Sequence, residues 1–147
     1  MKTKVFLFLL LSAVLFGCCE KPGNQYDGSW KLVKATWAFS DSMKYEYPGN
    51  VTCLEGSWII SGANSIYLMK YQVKGDTTSI FEYSKLTQKF EGNKIIEKYG
   101  ISDCDEITGK TEVYNIEIKG DSLYFSGPVD DSRKVNTPDL YQVYVRE

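Results

Sequence analysis

The chain of 147 residues contains no histidine. That excludes Ser-His-Asp and Cys-His nucleophilic arrangements, histidine metal ligation and a histidine proton switch, and leaves carboxylate chemistry open. A basic stripe is also missing. Lys and Arg number 17 against 19 Asp and Glu, a net charge of −2, so nothing tracks phosphates and nucleic acid is not an expected partner. Beyond residue 17 there is little of the helix formers alanine and leucine. The one long apolar run, Val5 to Phe16, is too short for a comfortable membrane span. EF-hand spacing, glycosidase-type paired carboxylates and a nucleophile with an adjacent base are all absent as motifs. The expectation is a protein that is not an enzyme and has no cofactor or metal site.

What the chain does have is aromatic residues, with 11 Tyr, 7 Phe and 3 Trp. These favour half-buried pleated strands, and the length suits one domain. Alternation and turn residues predict about eight strands: 30–39, 56–61, 65–73, 78–90, 94–101, 110–119, 122–126 and 139–146. In the first strand Trp30 and Leu32 share one face and Val33, Ala35, Trp37 and Phe39 the other, so the alternation slips near Leu32 and Val33, which predicts a bulge that lets both sets face inward. Gly62-Ala63-Asn64, Gly92-Asn93 and Gly120-Asp121 supply the positive φ angles of tight hairpins. Connections after the first, fifth and seventh strands are long; Ser40 to Glu55 reads as a polar loop, and Lys74-Gly75-Asp76 as a short exception. The fold class expected is all-β, an up-and-down antiparallel barrel with tight turns at one end and long loops ringing the other.

Gly28-Ser29-Trp30, at the start of the first strand, resembles the lipocalin and calycin signature. In that family the tryptophan closes the narrow end of the barrel, and an Arg or Lys near the end of the last strand lies over it. Arg146 occupies that position here. The resemblance implies that Gly28, Trp30 and Arg146 form the barrel closure, with a ligand cavity above and a mouth loop after the first strand. The C-terminal helix of lipocalins has no counterpart after the last strand, so the expected barrel is lipocalin-like in a reduced form.

Lys2 and Lys4 followed by the apolar run form the pattern of a secretory signal. Its end, Leu15-Phe16-Gly17-Cys18, resembles a bacterial lipobox. This implies a signal peptide over 1–17, acylation of Cys18, a tether over 18–27 and a barrel domain over 28–147. The implied partner is a lipid bilayer and the implied location the bacterial cell envelope, on the outer membrane. An ordinary signal peptide cleaved nearby is the alternative.

Cys53 and Cys104 fall in mouth loops of the expected topology. In an oxidising compartment a Cys53–Cys104 disulfide would clamp those loops and contribute about 4 kcal/mol; the alternative is two unpaired thiols. Cys19 is left without a partner.

Trp37, Tyr67, Met69, Tyr71, Phe81, Tyr83, Tyr99 and Tyr114 are the candidate ligand-binding residues of a cavity with hydroxyl-tipped walls. Glu97 joins them because it shares a face with Ile95, Tyr99 and Ile101, where a carboxylate is costly unless it meets a ligand or partner group. The alternative for Glu97 and Lys98 is solvent, reached through strand twist. Asp103, Asp105, Glu106, Asp130 and Asp131 make an acidic rim. Two functions follow: a small, partly apolar ligand held in the barrel, or a filled barrel serving as an envelope protein-interaction or inhibitor module through its mouth loops.

Overall fold

A computed structural model describes residues 23–40, 42–103, 108–129 and 139–147. The signal, Cys18, Cys19, Cys104, Asp105, Glu106, Asp130 and Asp131 lie outside the described residues. The strands are β1 (Gly28–Ala38), β2 (Lys44–Tyr47), β3 (Val51–Ser61), β4 (Asn64–Val73), β5 (Ile80–Glu91), β6 (Lys94–Ser102), β7 (Thr111–Lys119), β8 (Ser122–Gly127) and β9 (Asp139–Arg146). Among the described residues there is no helix.

Neighbours pair antiparallel from β3 round to β9, and β9 pairs back onto β1 from Trp30↔Arg146 to Ala38↔Asp139, so the sheet closes into an up-and-down barrel. Closure removes the free edges that an open sheet would expose. β1 has a divided second edge. Gly28 to Lys31 pair with β3, whereas Ala35 to Ala38 pair with β2. The stretch expected to be a loop from Ser40 to Glu55 therefore contains β2 and the first residues of β3. Lys44, Tyr45, Glu46 and Tyr47 alternate exposed and half-buried, which suffices for a short strand along β1.

The expected bulge in β1 is present, the register shifting between Leu32 and Lys34 with Trp30, Leu32 and Ala35 buried, but Val33, expected to face inward, is the bulged residue and lies outside, and Phe39, expected inward as well, is exposed. A second shift opposite Lys85 and Leu86 skips Gly100. That extra residue turns Ile101 outward, so Ile101 does not share the inner face with Glu97 and Tyr99.

The turns 62–63, 92–93 and 120–121 lie at one end, each opening with a glycine at φ near +60°. The ends of β1, β4, β6 and β8 and the starts of β3, β5, β7 and β9, which bound the longer connections, lie at the other. Residues 74–79 are thus a mouth connection like the rest, because β5 starts at Ile80 and not at 78.

The turn end is sealed. Trp30, Ile95 and Leu123 are completely buried, and Leu32, Ile60 and Ile116 nearly so, each contributing roughly 1.5–3 kcal/mol of apolar burial. The Arg146 guanidinium lies 4.3 Å from the Trp30 ring centroid and donates 2.9 Å hydrogen bonds to the Asp27 and Gln25 carbonyls. Gly28 makes this approach feasible. Its φ is +140°, and a β carbon there would sit 2.9 Å from Arg146 Nη1.

The base also begins earlier than residue 28. Tyr26 is buried and stacks on Phe90 at 4.5 Å, its carbonyl accepts the Trp30 indole N–H at 2.8 Å, and the Asp27 carboxylate accepts the Gly62 N–H at 2.7 Å. The last residues of the expected tether, 24–27, are therefore part of the floor.

Candidate functional site

Above the apolar floor the barrel is hollow. A cavity of about 610 Å³ runs from the middle of the barrel to its mouth, within the range typical of small-molecule sites. Its lower wall is aromatic. Trp58 meets the Phe125 ring edge-on at 5.2 Å and lies 5.6 Å from Tyr144, and Tyr114 packs on Phe125 at 4.4 Å. Toward the mouth, Trp37 stacks on Tyr71 at 6.0 Å.

Polar groups enter where the inward positions of the strands approach mid-barrel. On β6 the inner face reads Ile95, Glu97, Tyr99; on β7, running the other way, it reads Glu112, Tyr114, Ile116. Glu97 and Glu112 are register partners, with only 3% and 2% of their surfaces exposed. Cross-strand partners have β carbons about 5 Å apart, and like charges there are destabilising. Burial, and then the charge of Glu112, push the Glu97 carboxyl up to about 8. The Tyr114 hydroxyl donates to Glu112, and the Tyr99 and Tyr114 hydroxyls stand 3.5 Å apart.

A second polar group faces this pair. Tyr144 donates to Gln142 Oε1 at 2.9 Å, and Gln142 Nε2 donates to the Tyr67 hydroxyl at 3.3 Å. Nearer the mouth Tyr71 donates to Glu82 at 3.1 Å. The Glu82 carboxyl is raised by burial, an effect that the Tyr71 bond opposes and Asp103 adds to. Burial also raises the hydroxyls of Tyr67, Tyr71, Tyr99, Tyr114 and Tyr144, which keeps them protonated and able to donate at neutral pH. Among the described lining residues the acids are Glu82, Glu97, Asp103 and Glu112, against one cation, Lys110.

Of the residues expected to bind ligand, Trp37, Tyr67, Tyr71, Glu97, Tyr99 and Tyr114 line this cavity. Met69 faces inward but is fully buried in the core and forms no part of the cavity wall. Phe81 borders the cavity only at the rim, with about half of its surface exposed. Tyr83 is on the outer face, where the Lys85 ammonium lies 6.0 Å from its ring centroid. The reason is parity. Ser84, Leu86 and Gln88 are the buried positions of β5, so Phe81 and Tyr83 fall on the opposite side.

Glu112, Glu82, Gln142, Tyr144 and Trp58 line the cavity without having been singled out from the sequence. Each stands two residues from an inward neighbour, Glu112 beside Tyr114 and Gln142 beside Tyr144, so extending the alternation across polar residues finds them.

Cys53 has a free thiol, and Cys104, its expected disulfide partner, lies outside the described residues. Cys53 packs from β3 against the barrel core. Burial raises the thiol above its ordinary range. Outside the barrel, the ion pairs Lys44–Glu46, Lys89–Glu91 and Lys119–Glu117 are exposed and of small energetic weight.

Comparison of the chain with protein-family models, curated proteins and solved structures finds no match.

Proposed function

We propose that the protein is a non-catalytic binding protein that takes a small, partly apolar molecule into the mouth half of its barrel. The observation that carries this reading is the cavity of about 610 Å³ walled by aromatic rings and tyrosine hydroxyls. Such a wall supplies apolar contact area together with a few placed polar groups. The interaction-module alternative assumes a filled barrel, which matches only the base half. The rim does carry exposed apolar side chains, Phe39, Met43, Ile80 and Phe81 among them, and these suit the mouth of a binding site for a partly apolar molecule.

The likeness of Gly28, Trp30 and Arg146 to the lipocalin closure supports the same reading, as does the lipobox-like segment ending at Cys18. With Cys18 acylated, the protein is a lipoprotein of the bacterial envelope, on the outer membrane. Residues 18–23 then reach no more than about 18 Å, which holds the base near the bilayer and turns the mouth away from it.

The test is binding of the neutral fluorophore N-phenyl-1-naphthylamine. The protein is expected to enhance its emission with saturation at one site. Ser84→Trp, at a buried inward position, and Leu140→Trp, at a half-buried one, are expected to abolish that enhancement by filling the cavity. Lack of enhancement by the parent protein, or full enhancement in both variants with intact near-ultraviolet circular dichroism, overturns the reading.

A further inference from the structure

We propose that Glu97 and Glu112 are the recognition point for the ammonium group of a small organic cation whose aromatic or apolar body fills the cavity on their mouth side. This rests on the binding function proposed above and assigns its ligand class.

The argument begins with a pair that is poor for stability. Two carboxyls stand in register on adjacent strands, both almost completely buried, and like charges in cross-strand positions repel. Glu112 has the Tyr114 hydroxyl to stabilise it, whereas among the described residues no hydrogen bond or ion pair reaches the Glu97 carboxyl. Glu97 nonetheless lines the cavity. An ammonium placed there offsets the repulsion and receives charge-assisted hydrogen bonds.

The surroundings select the kind of cation. Gln88, the residue opposite Glu97 on β5, spends its amide N–H groups on the Gly62 and Asn64 carbonyls and gives Glu97 no counter-charge. Among the described residues, the polar groups of the cavity around the pair include the hydroxyls of Tyr99, Tyr114 and Tyr144 and the Gln142 amide. Glu82 and Asp103 lie toward the mouth, with Lys110 the one described cation of the lining. A hard divalent ion wants six or more oxygen ligands, and no group of three or more acidic or thiol side chains among the described residues is placed to hold one. Aromatic walls beside two carboxylates suit a weakly hydrated organic cation, through cation–π and apolar contact. An anionic ligand such as a fatty acid is disfavoured by the same acids.

Because burial and the Glu112 charge keep Glu97 protonated at neutral pH, capture of an ammonium releases a proton. Affinity for the cation therefore rises as pH increases from 6 to 8.5.

Three probes with one body and three heads test this by calorimetry: 2-phenylethylamine, 2-phenylethanol and 3-phenylpropanoate. The amine is expected to bind about tenfold or more tighter than the alcohol, with the carboxylate weakest. Glu97→Gln and Glu112→Gln are expected to weaken the amine about tenfold while leaving the alcohol within about twofold. Excess calcium chloride is expected to leave amine binding unchanged. If either variant fails to fold, the parent protein still decides, since its amine affinity must climb with pH while its alcohol affinity stays level.

Equal binding of amine and alcohol, preference for the carboxylate, displacement by calcium, or a pH-independent amine affinity overturns the assignment. If the alcohol or the fluorophore binds and the amine preference is missing, only the ligand class fails. If none of them binds, the cavity function fails with it.

Discussion

The two halves of this barrel share the same strands and obey different rules. At the turn end the inward positions are Trp30, Leu32, Ile60, Ile95, Ile116 and Leu123, all buried and apolar. Two residues beyond Ile95 along β6, and four residues before Ile116 along β7, the inward positions are Glu97 and Glu112, and space opens above them. The base concentrates apolar burial, short turns and the Arg146 cap, which are stabilising. The mouth half gathers buried carboxyls and tyrosine hydroxyls around a void, which are destabilising unless something occupies them. The contrast separates the part that holds the fold from the part available for binding.

The sharpest way to break the contrast is at the base. Trp30→Ala removes the largest fully buried side chain and leaves a cavity, an expected loss of about 3–5 kcal/mol in urea denaturation. A loss below about 1 kcal/mol contradicts the assignment of the base as the stabilising half. Arg146→Ala removes the ring contact and two carbonyl bonds at an exposed position, with an expected cost of about 1–2 kcal/mol. Its effect on fluorophore binding is expected to be within about twofold once the unfolded fraction is taken into account.

The base was the more legible half in the sequence. Glycine-led turns, strict alternation and the slip at Val33 all mark strands whose inner face is apolar, and the residues 30 and 146 are brought together by closure alone. Legibility fell where inner positions turn polar. In Ile80-Phe81-Glu82-Tyr83-Ser84 the aromatic residues attract an inward assignment, but the barrel turns Glu82 and Ser84 in and Phe81 and Tyr83 out. Hydrophobicity marks a core face reliably and a polar cavity face poorly. The skipped Gly100 inverted one position, Ile101, because a bulge leaves no mark on the alternation before it. β2 was missed because it is short and alternates only lysine and glutamate with tyrosine.

Glu97 connects the two halves, since it is a cost to folding that the base must support and the main feature of the site. Its carboxyl is raised in the folded state, so the native protein holds a proton that the unfolded chain releases above the ordinary carboxylate range. Stability associated with this group is therefore complete below about pH 4.5 and is lost as pH rises toward about 8. The direct measurement is the urea stability of the parent protein and of Glu97→Gln from pH 5 to pH 9. The difference is predicted to turn progressively in favour of the variant as pH rises, levelling off above about 8. A difference that stays constant across that range contradicts a buried, unpaired carboxyl at the heart of the mouth half.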